Sequence, residues 1–299
     1  MRRFQPVQPP MLERGLLYEH YQYVEYAPAL RLQHIVCCYW SSMMKPGEKS
    51  QWHRIVPDGC IDIIFDLYAV DHRSAFLASL MRSYEVMELT ESMAFFGIRL
   101  YASEVRGLLG YAGSSLAGTH VTLEQWLGAQ AAPMTEDVVT AAHMQERIER
   151  TERWLWMLVQ EQEDNDTARL RQLVHYIHAE QGRLTVRDLA QQSHYSDRTL
   201  RRLFQQELGV SPKEWSDMMR FQAVLRHLQM NDAYSIAMDT SSPSSAFTSH
   251  SSSTATAEVI PQSLTLSELA VRFGYYDQSH LNLAFNRYYG LPPGQLLQR

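Results

Sequence analysis

Two stretches in the last 120 or so residues decide how the chain reads: L-T-V-R-D-L-A-Q-Q-S-H-Y-S-D-R-T-L-R-R-L-F-Q-Q-E-L-G-V-S-P, from Leu184 to Pro212, and L-T-L-S-E-L-A-V-R-F-G-Y-Y-D-Q-S-H-L-N-L-A-F-N-R-Y-Y-G-L-P-P, from Leu264 to Pro293. They are copies of one pattern. The lag is 80 residues up to Tyr195 and Tyr275 and 81 from Leu200 and Leu281 onward, which places one inserted residue in the turn of the second copy. Each copy parses as two short helices. Thr185 precedes Asp188, and Thr265 precedes Glu268, at the spacing of a capping box, and the acids also suit the positive end of the helix dipole. Val186, Leu189 and Ala190 then share one helical face, as do Leu266, Leu269 and Ala270. After breaks at Ser193-His194-Tyr195 and Phe273-Gly274-Tyr275, Ser196 and Asp277 are N-caps for second helices. Their inward faces are Leu200, Leu203, Phe204 and Leu281, Ala284, Phe285, and Gly209 and Gly290 end them. Small Ala190 and Ala270 permit a close crossing. Two short helices at a sharp angle, each with one apolar face, describe a helix-turn-helix.

The outward face of the first copy gives the pattern chemistry. Arg198, Thr199, Arg201 and Arg202 cluster on the solvent side of its second helix, just after the Ser196 cap, with Asp197 the only acid before Glu207. A helix whose first turns expose several guanidiniums suits entry into a major groove. The plainer alternative is a solvated face of a helical bundle. Duplication favours the first reading, because two such units one helical turn apart, roughly 34 Å, can read successive grooves from one side of DNA.

Charge distribution agrees with this placement. The 299 residues carry a net charge of −6, but residues 167–299 hold +2 and residues 1–166 hold −8, so only the second part approaches a polyanion cheaply. Apolar residues make up 45% and charged residues 20%, ordinary for a soluble globular chain of about two domains. No run approaches the roughly 18 apolar residues of a membrane span. Met1-Arg2-Arg3-Phe4 has no apolar run behind it, so no signal peptide is expected. Three cysteines, Cys37, Cys38 and Cys60, make no disulfide framework and fit a reducing cytoplasm.

At G-Y-Y-D-Q-S-H-L, F-N-R-Y-Y-G-L-P-P and Gly209-Val210-Ser211-Pro212 the sequence resembles the DNA-binding domain of the AraC/XylS family of transcriptional regulators, over about Ala168 to Gln298. The resemblance implies seven helices, with a long one joining the two reading units. Ser211-Pro212-Lys213-Glu214 fits its start (Ser cap, Pro first, Glu third), and Trp215, Met218, Met219, Ala223, Leu225 and Leu228 its core contacts. It also implies a small effector bound to the N-terminal domain, and activation through RNA polymerase. Three departures stand out. About thirty extra residues, Asn231 to Ser263, separate the long helix from the second unit, and their Ser/Thr-rich run is expected to be disordered. His194 sits where the family favours Gly, at a cost of about 1 kcal/mol if the turn is left-handed. Leu283 stands where many members carry Arg. The second unit then offers only Gln278, Ser279, His280 and Asn282 to DNA, and the first should dominate affinity.

Residues 1–130 read as a β-rich domain. Ile61 to Asp66 after the Pro57-Asp58-Gly59 turn, Leu17 to Tyr26 and Met93 to Arg99 are strand signals, and Thr122 with Gln125 caps a short helix. The run R-I-V-P-D-G-C-I-D-I-I-F-D, with F-F-G-I-R-L later, resembles an uncharacterised domain found ahead of this DNA-binding module and implies a sensor role. Asp62 and Asp66 alternate with apolar residues as on a solvated strand face. His34, Cys37, Cys38, His53, Asp58 and Cys60 match no structural zinc spacing, so no metal is expected, and no cofactor. Neither a phosphate loop nor a nucleophile elbow appears, and no enzyme is read. The rival is a DNA-binding module fused to a cysteine-dependent repair or modification enzyme, which requires a low-pKa thiol. Met144, Ile148, Thr151, Leu155 and Leu158 recur at 4-3-4-3 spacing. That helix could pair with a second copy in a homodimer or pack on its own domain through Trp154, Met157 and Leu158.

The reading is therefore an α+β chain: a β-rich sensor-like domain (1–130), a helical linker with a candidate dimer helix (131–166), and an all-α seven-helix DNA-binding domain (167–299). The last contains helix-turn-helix one at 184–208, helix-turn-helix two at 264–289 and the disordered insertion at 231–263. Its partner is double-stranded DNA.

Overall fold

The computed structural model describes residues 4–9, 21–44, 51–69, 75–89, 92–116, 121–159, 165–239 and 264–296. Strands come first: β1 (Tyr21–Tyr26), β2 (Val36–Met44), β3 (Gln51–Ile55), β4 (Cys60–Asp66), β5 (Ala75–Ala78), β6 (Glu85–Leu89) and β7 (Met93–Tyr101). Helix α1 (Arg106–Leu109), the short strand β8 (Val121–Thr122), and helices α2 (Leu123–Leu127), α3 (Ala131–Val139) and α4 (Met144–Leu158) follow. The rest is helical: α5 (Asn165–Ala179), α6 (Val186–Ser193), α7 (Asp197–Leu208), α8 (Pro212–Asp239), α9 (Leu266–Arg272), α10 (Gln278–Tyr288) and α11 (Pro293–Leu296). The mixed α+β architecture is the one expected, and among the described residues the C-terminal part is helical from α5 to α11.

Six strands form an antiparallel sheet in the order β1-β2-β7-β4-β5-β8, and β3 pairs with β6 in a separate ribbon. In β4, Cys60, Ile61, Ile63 and Phe65 are buried, with Asp62, Ile64 and Asp66 partly exposed between them, the period of a sheet with one face on a core. The solvated strand face expected of Asp62 is corrected here. Arg99, opposite it on β7, is buried and gathers Asp62, Asp58 (3.2 Å each from Nε) and Glu25 (3.3 Å from Nη1) into one ionic network. A buried guanidinium demands such partners.

Helix α4 keeps Ile148, Thr151 and Leu155 buried against the chain's own helices α3 and α1. The middle of the 4-3-4-3 seam is thus covered within the chain, with Met144 and Leu158 half-buried at its ends. Trp154 donates its indole N–H to Asp137 at 3.0 Å, while Met157 is exposed.

The apolar core crosses from one half of the chain into the other. One continuous cluster joins Tyr39, Ile63, Phe96 and Leu116 to Leu200, Phe204, Trp215 and Met218. A second joins Val7 and Val56 to Phe221, Leu281 and Phe285. Polar ties run alongside: Val7 N–H donates to Gln222 Oε1 at 2.8 Å, and Gln222 Nε2 donates to the Pro57 carbonyl at 2.8 Å.

Two buried imidazoles make the fold acid-sensitive. Burial lowers His53 to about 4, and burial with the nearby charges of His175 and Arg226 lowers His178 to about 3. The unfolded chain takes up these protons near pH 6.5, the native chain only far below, so the stabilisation is complete above pH 6.5 and declines on acidification. Each group contributes a slope of about 1.4 kcal/mol per pH unit between its two values. Urea midpoints at pH 7, 6 and 5 should therefore fall steadily, and His178→Gln should flatten the fall. A midpoint unchanged from pH 6.5 to 5 would contradict this account.

A candidate nucleic-acid interface

The reading units are built by local hydrogen bonds. Thr185 and Thr265 accept from the backbone N–H of Asp188 and Glu268, whose carboxylates accept from the threonine N–H groups in return. Ser196 caps α7 by accepting from Thr199 N–H at 3.2 Å, and Asp277 caps α10 by accepting from His280 N–H at 2.8 Å. His194 takes the left-handed conformation at φ 59°, where the second copy has Gly274 at φ 75°. The family-type Gly position is thus filled by a residue strained there. Gly209 ends α7 at φ 73°. Ser211 and Glu214 cap α8 reciprocally at 3.2 and 2.9 Å.

On α7 one face is buried through Leu200, Leu203, Phe204 and Leu208, and the opposite face exposes Arg198, Arg201 and Arg202. Successive steps of three and four residues put these guanidiniums together. Arg202 is held lightly, with Nη1 3.7 Å from Asp166 Oδ2 and donating to Gln206 Oε1, and it stays about half exposed. Thr199 is half-buried, its hydroxyl 2.9 Å from that of Ser196, so both are occupied in shaping the helix start. In the second unit Gln278, Ser279 and His280 are exposed, whereas Asn282 is half-buried with an Oδ1 that is buried and lacks a partner. Leu283 is 67% exposed in the middle of that helix. Tyr276, the residue inserted in the second turn, is 90% exposed and was not picked out from the sequence. The one-residue lag was the signal that could have found it.

The backs of both units rest on the sheet half. Arg106 donates through Nε and Nη2 to the two Glu207 oxygens at 2.8 and 2.7 Å, and Ser114 donates to the Gln206 carbonyl. Arg54 donates to the Tyr289 carbonyl. Arg82 and Arg287 both meet Glu214, at 2.6 and 3.5 Å. Burial opposes ionisation of Glu214, but the Ser211 N–H and Arg82 more than offset it and hold this carboxyl at about 2. Arg220 on α8 joins the turn between α5 and α6 to the turn of the second unit, donating to the Gly182 carbonyl at 3.2 and 3.0 Å and to the Gly274 carbonyl at 3.3 Å.

Residues 178–215, which span α6 and α7, match the family model of the bacterial regulatory helix-turn-helix proteins, AraC family. The first reading unit is an AraC-type helix-turn-helix. Residues 24–122, which carry the sheet, match a domain of unknown function (DUF6597). No curated protein matches the chain. Among solved structures it is similar to ToxT from Vibrio cholerae at 11% identity and TM-score 0.38, over 94% of this chain and 98% of that one. The same protein bound to (E)-4-(8-methylnaphthalen-1-yl)but-3-enoic acid aligns at 12% identity and TM-score 0.38, over 94% and 99%. Ahead of the AraC-type unit, the thiols lie where a reactive cysteine would not. Burial pushes Cys60 up to about 12, and a hydrogen bond with Cys37 together with burial raises Cys38 further. Asp58 is occupied with the Cys60 N–H at 2.9 Å and with Arg99, while His53 sits on the β3–β6 ribbon against Tyr21. Among the described residues no group of three or more His, Cys, Asp or Glu side chains could hold a metal ion, and no helix is long and apolar enough to cross a membrane.

Proposed function

We propose that the chain is a sequence-specific transcriptional regulator that reads double-stranded DNA chiefly through α7, with residues 1–130 as the regulatory domain, 131–166 as a helical connection and 167–299 as the DNA-binding domain. Arg198, Arg201 and Arg202 contact base edges and phosphates, with Ser196 and Thr199 positioned at the helix start. Gln278, Ser279, His280 and Asn282 add weaker readout from the second unit. A small effector on the regulatory side shifts the orientation of the two units, and contact with RNA polymerase turns occupancy into transcription. The observation that carries this reading is a helix with one face in the core and three exposed guanidiniums on the other, inside an AraC-type unit. The cysteine-enzyme alternative is disfavoured by the same burial that raises the thiols.

Polarisation titrations of the full chain against duplexes selected from a random pool test the proposal. With about four phosphates neutralised, affinity should fall about 100-fold from 50 to 200 mM salt through counterion release. Absence of duplex binding at 50 mM salt, or an affinity indifferent to salt, overturns it.

A further inference from the structure

Between the two halves lies a cavity of about 670 Å³, bounded by α5 and α8 on the helical side and by Phe4 and the residues after β7 on the sheet side. Volumes of this order hold drug-sized molecules. Its polar lining is unevenly satisfied. Arg171 is committed, with Nε 2.9 and 2.8 Å and Nη2 2.5 Å from the carboxylate oxygens of Glu104, the one acid in the lining. Arg226, on α8, has a buried Nη2 with no hydrogen-bond partner, and its guanidinium carbon lies 5.4 Å over the ring of Phe4. His178, on α5, likewise has a buried Nε2 without a partner, and its ring stacks on Phe4 at 4.3 Å. With Glu104 neutralised by Arg171, the remaining lining is cationic through Arg226, with His34 and His175 nearby. A buried donor left unsatisfied is costly, and a charged one more so. Both residues line the cavity, and an acceptor arriving from outside would satisfy two donors left unmet at its wall.

We propose that this cavity binds a small organic anion, a carboxylate on an apolar body, with the carboxylate received by Arg226 and His178 and the body lying against Phe4 and Met219. A planar guanidinium edge matches a carboxylate, and the apolar wall selects against bare inorganic anions. Burial depresses His178 to about 3, so near neutrality it meets the ligand as a neutral imidazole able to donate from Nε2. The site deepens the regulator reading, on which its consequence rests. Its cationic contacts belong to α5 and α8, which flank the first unit and join it to the second, while Phe4 belongs to the sheet half. An occupant therefore bridges the halves, and its differential affinity for their relative orientations is what can shift DNA binding.

The test is calorimetric titration of the full chain with benzoate, 4-phenylbutyrate and biphenyl-4-carboxylate, each against its neutral amide. At least one carboxylate should bind at one site tenfold or more tightly than its amide. Arg226→Gln should weaken that carboxylate at least tenfold and abolish the discrimination, Arg226→Lys should retain the preference, and Arg169→Gln on the outer face of α5 should change nothing. If Arg226→Gln does not melt like wild type, Phe4→Ala and Arg226→Lys carry the comparison, with a weaker and a retained response expected. Silence from all three carboxylates, equal binding of acid and amide, or an unaffected Arg226→Gln in its folded form overturns the site. Polarisation against duplex DNA on the same preparations separates the two claims. Duplex binding without carboxylate binding removes the site alone, and carboxylate binding without duplex binding removes the regulator reading alone.

Discussion

Replacing Arg198, Arg201 and Arg202 together by alanine is expected to abolish specific duplex binding while leaving the fold intact. The three side chains are exposed, so none contributes packing to the core beneath α7. Among the described residues the one ion pair lost, Arg202 with Asp166 at 3.7 Å, is a surface one worth about 0–1 kcal/mol. On DNA the balance reverses. A bidentate guanidinium–guanine contact contributes about 1–3 kcal/mol of discrimination, and a phosphate contact adds to the salt-dependent term. The triple variant should therefore lose about 3–6 kcal/mol, on the order of 10²- to 10⁴-fold, with an unchanged melting curve. Single changes sort the roles. An arginine on a base relaxes selectivity at one position, whereas one on a phosphate weakens all sequences alike and lowers the salt slope by about one. Asn282→Ala should cost less than Arg198→Ala or Arg202→Ala, because Asn282 is half-buried and its neighbour Leu283 is the exposed residue. A gel-shift series in which Asn282→Ala is the most damaging single change would overturn this ranking, and a triple variant that still binds its operator would remove α7 from the interface.

What could be read from the sequence was what local chemistry fixes. The Thr185–Asp188 and Thr265–Glu268 boxes, the Ser196 and Asp277 caps and the left-handed turn at His194 each involve residues within a few positions of one another, and the repeat supplied a second copy to check them against. The arginine face of α7 was legible for the same reason, since helical spacing alone puts those side chains together. Long-range partners were not. Asp62 reads as solvated until Arg99, 37 residues on, is placed beside it, and nothing near Glu207 in the chain announces Arg106, 101 residues back. The seam of α4 was visible as an apolar stripe, but a stripe does not say whether a second copy or the chain's own α3 covers it. Helix α8 runs on to Asp239, into the stretch read as a disordered insertion; residues 240–263, including the Ser/Thr-rich run, lie outside the described residues. The cavity was invisible for the most general reason. Phe4, His178 and Arg226 have no periodicity or motif in common, and only the packing of α5 and α8 against the sheet half brings them together.

Gly182→Ala is expected to destabilise the helical half strongly, although it adds only one methyl group. The chain turns from α5 into α6 through two consecutive left-handed residues, Gln181 at φ 54° and Gly182 at φ 72°, and the Gly182 N–H closes back on the Ile177 carbonyl at 2.8 Å. Alanine in that conformation costs about 1–2 kcal/mol before any contact is considered. The space is also occupied. A Cβ at position 182 would stand 2.2 Å from the Ser216 carbonyl oxygen and 2.5 Å from the Arg220 nitrogen, both backbone atoms of α8, which no rotamer change can move aside. Helix α8 would have to retreat, with an overpacking cost of about 1–3 kcal/mol, and the Arg220 contacts to the Gly182 and Gly274 carbonyls would stretch with it. Together these amount to about 2–5 kcal/mol against a typical total of about 5–15, or a fall in melting temperature of roughly ten degrees. The effect on DNA follows from the same displacement, since Arg220 ties the α5–α6 turn, just ahead of the first unit, to the Gly274 turn of the second. Gly182→Ala should thus weaken duplex binding although residue 182 lies outside the arginine face. Gly107→Ala is the matched control: nothing stands within 4 Å of a Cβ there, and in helix α1 alanine should be neutral or stabilising by up to about 1 kcal/mol. Equal melting temperatures for the two variants would show that the α5–α6 turn does not bear on α8 in the way described.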